Sequence, residues 1–172
     1  MISFCVLGSG CVFGQRETAC VSAAFVADPD RDVTIRSGAG PNHKTLETIP
    51  RDPDGTTVII DGSKGDWLKI SRAVNSRKTA VFDGTGWVHA SLLSVKTRGK
   101  GNELVEYYGS AGTETEAVVV GNIRAGLEVI LQGCSGVWVK VLVPAPGTEG
   151  KAGWLPHTSY CGSLWDDWED CT

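Results

Sequence analysis

The chain has 172 residues, 41% hydrophobic and 21% charged, which fits one ordinary domain or two small ones and excludes a disordered tail. A formal net charge of −4 and a pI near 5.3 exclude general phosphate binding, which needs clustered Lys and Arg. The 22 glycines, set between short apolar runs, favour an all-β protein.

The opening stretch, MISFCVLGSGCVFG, has no Lys or Arg ahead of its short apolar run. It makes a poor signal peptide and is far too short for a membrane span. LGSGC at 7–11 faintly resembles a lipoprotein cleavage site, but Leu7 stands one residue too far from Cys11. An export signal is therefore expected to be atypical or to lie outside this sequence.

No later stretch keeps apolar residues at i, i+3, i+4 and i+7 for three turns. Short strands are expected instead at VTI (33–35), TTVIID (56–61), WLKI (67–70), TAVF (79–82) and GWVHA (86–90). A second set follows: LVEYY (104–108), AVVVGNI (117–123), LEVILQG (127–133), VWVKVLV (137–143) and GWLP (153–156). In WLKI, alternation puts Leu68 and Ile70 on a core face and Trp67 with Lys69 on the outer face. Two loops, 49–58 and 71–86, are long enough to be either functional or tolerated insertions.

The two sets repeat. Trp138 follows Trp67 by 71 positions, Gly112 follows Gly40 by 72, and Trp154 follows Trp87 by 67. KTRGKGN at 96–102 reads as a polar linker between them. The expected organisation is an extension at 1–18, a domain at 19–95, the linker at 96–102, a domain at 103–161 and an acidic Trp-containing tail at 162–172.

Charge divides between the halves. Residues 33–93 carry eight basic and six acidic groups, and residues 104–172 carry three basic and nine acidic. Either the surfaces are merely solvated differently, or the halves face different partners or each other. Six cysteines, Cys5, Cys11, Cys20, Cys134, Cys161 and Cys171, form no CxxC pair. Their even number in a Gly-rich β protein implies disulfides and an oxidising compartment, with the terminal segments stapled onto the second half. In the tail, Trp165 and Trp168 either cover core, with Cys171 as the pin, or form a docking strip.

VTIRSGAGPNHKTLETI at 33–49, then Trp67, then Gly86-Trp87-Val88, resembles the bacterial SH3 domain. The first strand of that pattern would be ACVSA at 19–23, with AFVADPDRD as an insertion. In the second half YYGSAGTETE, GVWVKV and GWLP resemble the same pattern more loosely. The resemblance implies an all-β fold of two tandem SH3-like small β-barrels with disulfide-stapled terminal extensions. It makes the Ser37–Gly40 turn part of the loop lining the ligand groove. Arg36 then either bridges that loop or touches ligand, and Trp87 and Trp154 are expected in the core.

Such domains are binding modules, many of them holding cell-wall hydrolases near peptidoglycan. The implied ligand-binding residues are Asn42, His43 and Trp67 in the first copy. In the second they are Tyr107, Tyr108, Glu114 and Trp138. Trp67 and Trp138 either stack on a ligand or cover the barrel end. A proline-rich ligand suits only the second copy, where Pro156 and Tyr160 are kept.

Catalysis is not expected. His43, His89 and His157 are the only histidines, no HExxH, GxSxG or phosphate loop occurs, and no carboxylate pair has an acid–base setting. No metal, cofactor, nucleic acid or membrane span is expected. The implied function is a secreted or periplasmic, non-catalytic protein recognising peptidoglycan or a cell-wall-associated protein. A protein-binding adaptor or inhibitor is the alternative, and a structural domain pair severed from an enzyme is the third.

Overall fold

The computed structural model of the chain describes residues 15–113, 115–145, 150–166 and 171. Cys5, Cys11, Glu114 and Trp168, together with most of the expected extension at 1–18, lie outside the described residues. The fold is all-β. Its first half contains β1 (Thr18–Val26), β2 (Val33–Arg36), β3 (Thr45–Ile49), β4 (Thr56–Lys64), β5 (Trp67–Asn75) and β6 (Ala80–His89). A 3₁₀ turn at Ala90–Leu92 leads into β7 (Leu93–Thr97). The second half adds β8 (Leu104–Tyr108), β9 (Val119–Arg124), β10 (Glu128–Ser135), β11 (Trp138–Val143) and β12 (Lys151–Pro156). A second 3₁₀ turn at His157–Ser159 precedes the short β13 (Tyr160–Cys161).

These strands form one open antiparallel sheet in the order β3-β2-β6-β5-β4-β1-β7-β10-β11-β12-β8-β9, with β13 also on β7. The order is mirrored about the β1–β7 contact, so the repeat seen in sequence is a repeat in pairing. β7 serves both halves. Its first residues pair with β1 (Phe25↔Ser94), and its later ones pair with β10 (Glu128↔Lys96) and β13 (Tyr160↔Thr97). The expected boundary between 95 and 96 therefore falls inside a strand, and the sheet path does not close into two separate barrels. Ala24–Val26, read as part of an insertion, belong to β1.

One apolar cluster spans both halves. Ile35, Ile60, Leu68, Ile70 and Val88 come from the first, and Leu131, Val139, Val141 and Leu155 from the second. Each fully buried aliphatic contributes about 1.5–3 kcal/mol relative to exposure. The alternation in β5 is as expected: Leu68 and Ile70 are buried, while Trp67 and Lys69 are half-buried. Gly65 and Gly136 make the matching β4–β5 and β10–β11 turns, each with φ +59°, a left-handed conformation that glycine adopts without steric cost.

Gly86 and Gly153 are required by packing. A Cβ on Gly153 would lie 2.5 Å from Tyr107 Cδ2, and one on Gly86 would collide with Ile35 Cγ2. Both glycines make room for a core side chain at the matching position, Ile35 of β2 in one half and Tyr107 of β8 in the other.

The segment 71–86 is mostly strand, not loop: β5 and β6 extend as a long hairpin. Its tip is tied by Asn75 Oδ1, which accepts from Arg77 N (3.1 Å) and Thr79 N (2.9 Å). Asp52 of the other long loop joins it, accepting from Ser76 N (3.1 Å) and Ser76 Oγ (3.0 Å). The two insertions thus brace each other. These bonds, led by the Ser76 backbone N–H, hold the Asp52 carboxyl below its usual range.

Among the described residues two disulfides are present, Cys20–Cys134 and Cys161–Cys171. The first ties β1 to β10, beside a parallel bridge between Cys20 and Gly136. The second pins the tail, which folds back on β4: Leu164 N donates to Thr57 Oγ1 (3.0 Å). Cys171 pins the tail as one of the two readings had it, and Trp165 is 40% exposed. Nearby, Ser22 Oγ and Tyr160 OH form a buried 2.8 Å bond between β1 and β13, and burial raises the Tyr160 hydroxyl pKa.

Candidate ligand-binding sites

Both halves place an aromatic and cationic patch on the outer face of the sheet, built by register alone. In the first half Arg36 on β2 pairs with Trp87 on β6, and Lys69 on β5 pairs with Trp87 from the other side. Trp67 pairs with His89. In the second half Tyr108 on β8 pairs with Trp154 on β12, Lys140 on β11 pairs with Trp154, and Trp138 pairs with Pro156. Arg36 and Tyr108 therefore occupy matching positions, as do Lys69 and Lys140, and Trp87 and Trp154.

One difference between the patches decides which indole is presented. In the first half Trp87 is 8% exposed, flanked by Arg36 and by Lys69, whose Nζ lies 6.0 Å from the ring centroid. Trp67 stays half-buried against His89, edge to face at 5.3 Å. In the second half Tyr108 replaces Arg36 and turns to Trp138, edge to face at 5.2 Å. Trp138 is then 5% exposed and Trp154 is left half-buried. The first half presents its β5 indole, and the second presents its β12 indole.

Three assignments change accordingly. Trp138 does not face solvent and is not an available stacking surface. Trp154, expected in the core, is open on one side. Tyr107 is 9% exposed and packs under Gly121 and Gly153 inside the apolar cluster. Tyr108 is half-buried as part of the patch, and Trp87 is buried as expected.

Asn42 and His43 are exposed on the loop between β2 and β3. Arg36 Nη1 donates to the His43 carbonyl at 3.0 Å, so Arg36 bridges this loop. The His43 ring lies over Gly38, where a Cβ would sit 2.6 Å from His43 Cε1. Among the described residues neither Asn42 nor His43 bonds to Trp67, so these three candidates are not brought together by direct contact. His89 is, and it was not among them. Its Nδ1 accepts from Ser91 N at 3.4 Å and meets Ser91 Oγ at 2.7 Å. Ser91 thus holds the His89 ring in its edge-to-face contact with Trp67.

A cleft of about 590 Å³ separates the halves. Its walls include Asp66 of the β4–β5 turn, Ser110 after β8, Gln132 and Gly133 of β10, Lys140 and Trp154. Lys140 and Trp154 were missed as site residues. Their signal was the repeat itself, since each stands at the position matching Lys69 or Trp87. Among the described residues no group of three His, Cys, Asp or Glu is placed to hold a metal ion, and no helix is long and apolar enough to cross a membrane.

No protein-family model matches the chain, and no curated protein matches it.

Proposed function

We propose that the protein is a non-catalytic binding protein that recognises cell-wall peptidoglycan in the extracytoplasmic space, through two divergent SH3-like units sharing β7. The observation that carries this reading is the half-exposed indole at the sheet's polar outer face in each half, Trp67 and Trp154. An indole edge-framed by polar groups offers an apolar plane to a sugar ring or a peptide plane, with donors at its rim. At Trp67 the polar neighbour is the His89 ring, and Lys140 stands across the strand from Trp154. The unit assignment is supported by the shared pairing order. In each half a first strand pairs with the long second strand, a two-stranded arm returns onto the third hairpin strand, and a 3₁₀ turn precedes the last strand. Two disulfides are compatible with an oxidising compartment.

The test is retention on purified peptidoglycan sacculi at low salt, using disulfide-intact protein. Wild type is expected to be retained, and Trp67→Ala with Trp154→Ala is expected to be lost. Wild type passing through unretained overturns the reading.

The adaptor reading draws on a separate observation. β9 is a sheet edge, and Val119 and Val120 on it are 43% and 51% exposed, with Val118 beside them at 70%. An apolar edge of this kind suits a partner protein adding a strand. A Val119→Lys variant that loses a protein partner while keeping sacculus retention would favour that reading.

A further inference from the structure

Among the described residues, the repeat contains a filled and an open version of the same site. In the first half Gly62 of β4 pairs with Lys69 of β5, and in the second Gly133 of β10 pairs with Lys140 of β11. Over Gly62 runs the protein's own chain at the start of β1: a Cβ there would meet Thr18 O at 3.1 Å and Glu17 Oε1 at 3.5 Å. The Glu17 carboxylate reaches Lys69 Nζ at 2.8 Å, beside the Trp87 ring. Carboxylate, ammonium and indole are thus stacked in one place by the fold itself.

Over Gly133 the arrangement differs. A Cβ there would meet only Ser63 Oγ at 3.9 Å and Lys140 Cβ at 4.0 Å. The physical cause is strand length. β1 has nine residues and runs along β4 to Ser63, whereas β7 has five and its ladder with β10 ends at Ile130. No described segment passes where Glu17 would be matched. Lys140 forms no ion pair among the described residues, and Trp154 opens on the 590 Å³ cleft.

We propose that Lys140 and Trp154 form a carboxylate-binding site, in which a ligand's single carboxylate takes the place at Lys140 that Glu17 takes at Lys69 and its apolar face lies on the Trp154 indole. This deepens the peptidoglycan reading and rests on it for the source of the carboxylate, either the lactyl acid of a muramic sugar or the acid of a stem peptide. The ammonium supplies a charge-assisted bond, and Gln132, Ser110 and Ser135 supply neutral polar groups around it. Asp66 lines the same cleft and repels a second acidic group, which selects for ligands with one carboxylate.

Calorimetric titration of the full, disulfide-intact chain tests this with four probes: propionate, N-acetylmuramic acid, muramyl dipeptide and N-acetylglucosamine. The acid probes are expected to bind at least 10-fold tighter than N-acetylglucosamine, and binding is expected to weaken with added salt. The stronger of N-acetylmuramic acid and muramyl dipeptide identifies the source of the carboxylate. Lys140→Gln is expected to remove that preference and Lys140→Arg to restore it; both changes are at a surface position that leaves the core untouched. Equal binding of acid and neutral sugars, or an acid preference that survives in Lys140→Gln, overturns the site. Sacculi retained undiminished by Lys140→Gln would sink this site and leave the peptidoglycan reading standing. Acid binding at Lys140 without sacculus retention would do the reverse.

Discussion

Removing the Cys20–Cys134 bridge, as Cys20→Ala with Cys134→Ala, is expected to cost much of the protein's stability. The bridge closes a loop spanning 114 residues. In the chain-entropy account a closed loop of that length restricts the unfolded chain by about 4.8 kcal/mol, against about 2.7 kcal/mol for a ten-residue loop such as that of Cys161–Cys171. Domains are commonly stable by only about 5–15 kcal/mol, so the loss is a large fraction of the total. Both cysteines are buried, at 3% and 2% exposed, and alanine leaves an apolar environment with little new void. Equilibrium urea unfolding followed by tryptophan fluorescence provides the assay. With an m-value of about 2 kcal/mol/M the midpoint should fall by about 2.4 M. Because β7 and one apolar cluster join the halves, wild type should unfold in a single transition. A loss below about 1 kcal/mol, or two separate transitions in wild type, would refute the role given to this bridge and to the shared strand.

Two further outcomes follow from local geometry. Gly153→Ala should lower stability by about 1–3 kcal/mol in the same urea assay, because the new methyl overlaps Tyr107 in the core; a neutral result would show that the β8 arm moves freely. Asp52 should brace the two long loops in a pH-dependent way. Its folded pKa lies below that of an ordinary aspartate, so its contribution is complete above the unfolded pKa and is lost as pH falls through the folded pKa. Hydrogen exchange at the Ser76 amide should therefore lose protection in acid for wild type, and Asp52→Asn should remove that dependence; a wild-type profile matching the variant would contradict it.

Much of the fold was legible because strand alternation is a local signal. Leu68 and Ile70 against Trp67 and Lys69 came from four letters, and the even cysteine count pointed to staples that the structure places at Cys20–Cys134 and Cys161–Cys171. The shared use of β7 was not legible, since a polar KTRGKGN reads as linker whether or not its first residues pair on both sides. The long hairpin at 71–86 escaped notice because Ser, Arg and Asn on its exposed face resemble loop composition.

The site was harder for a different reason. Which Trp is presented depends on what stands across the strand: Arg36 beside Trp87 in one half, and Tyr108 turned onto Trp138 in the other. Spacing within each repeat cannot reveal a cross-strand partner. Trp138 and Tyr107 were accordingly placed outward, Trp154 was placed in the core, and Lys140 was not named as a site residue. Comparing the halves position by position, once paired, exposes the exchange.

The most direct test of the account follows the six indole N–H resonances by two-dimensional NMR while solubilised muropeptides are added to uniformly ¹⁵N-labelled protein. The account predicts that Trp67 and Trp154 shift while the buried Trp87 and Trp138 hold still. Indoles that all stay in place at saturating muropeptide, or shifts confined to Trp87 and Trp138, would contradict it.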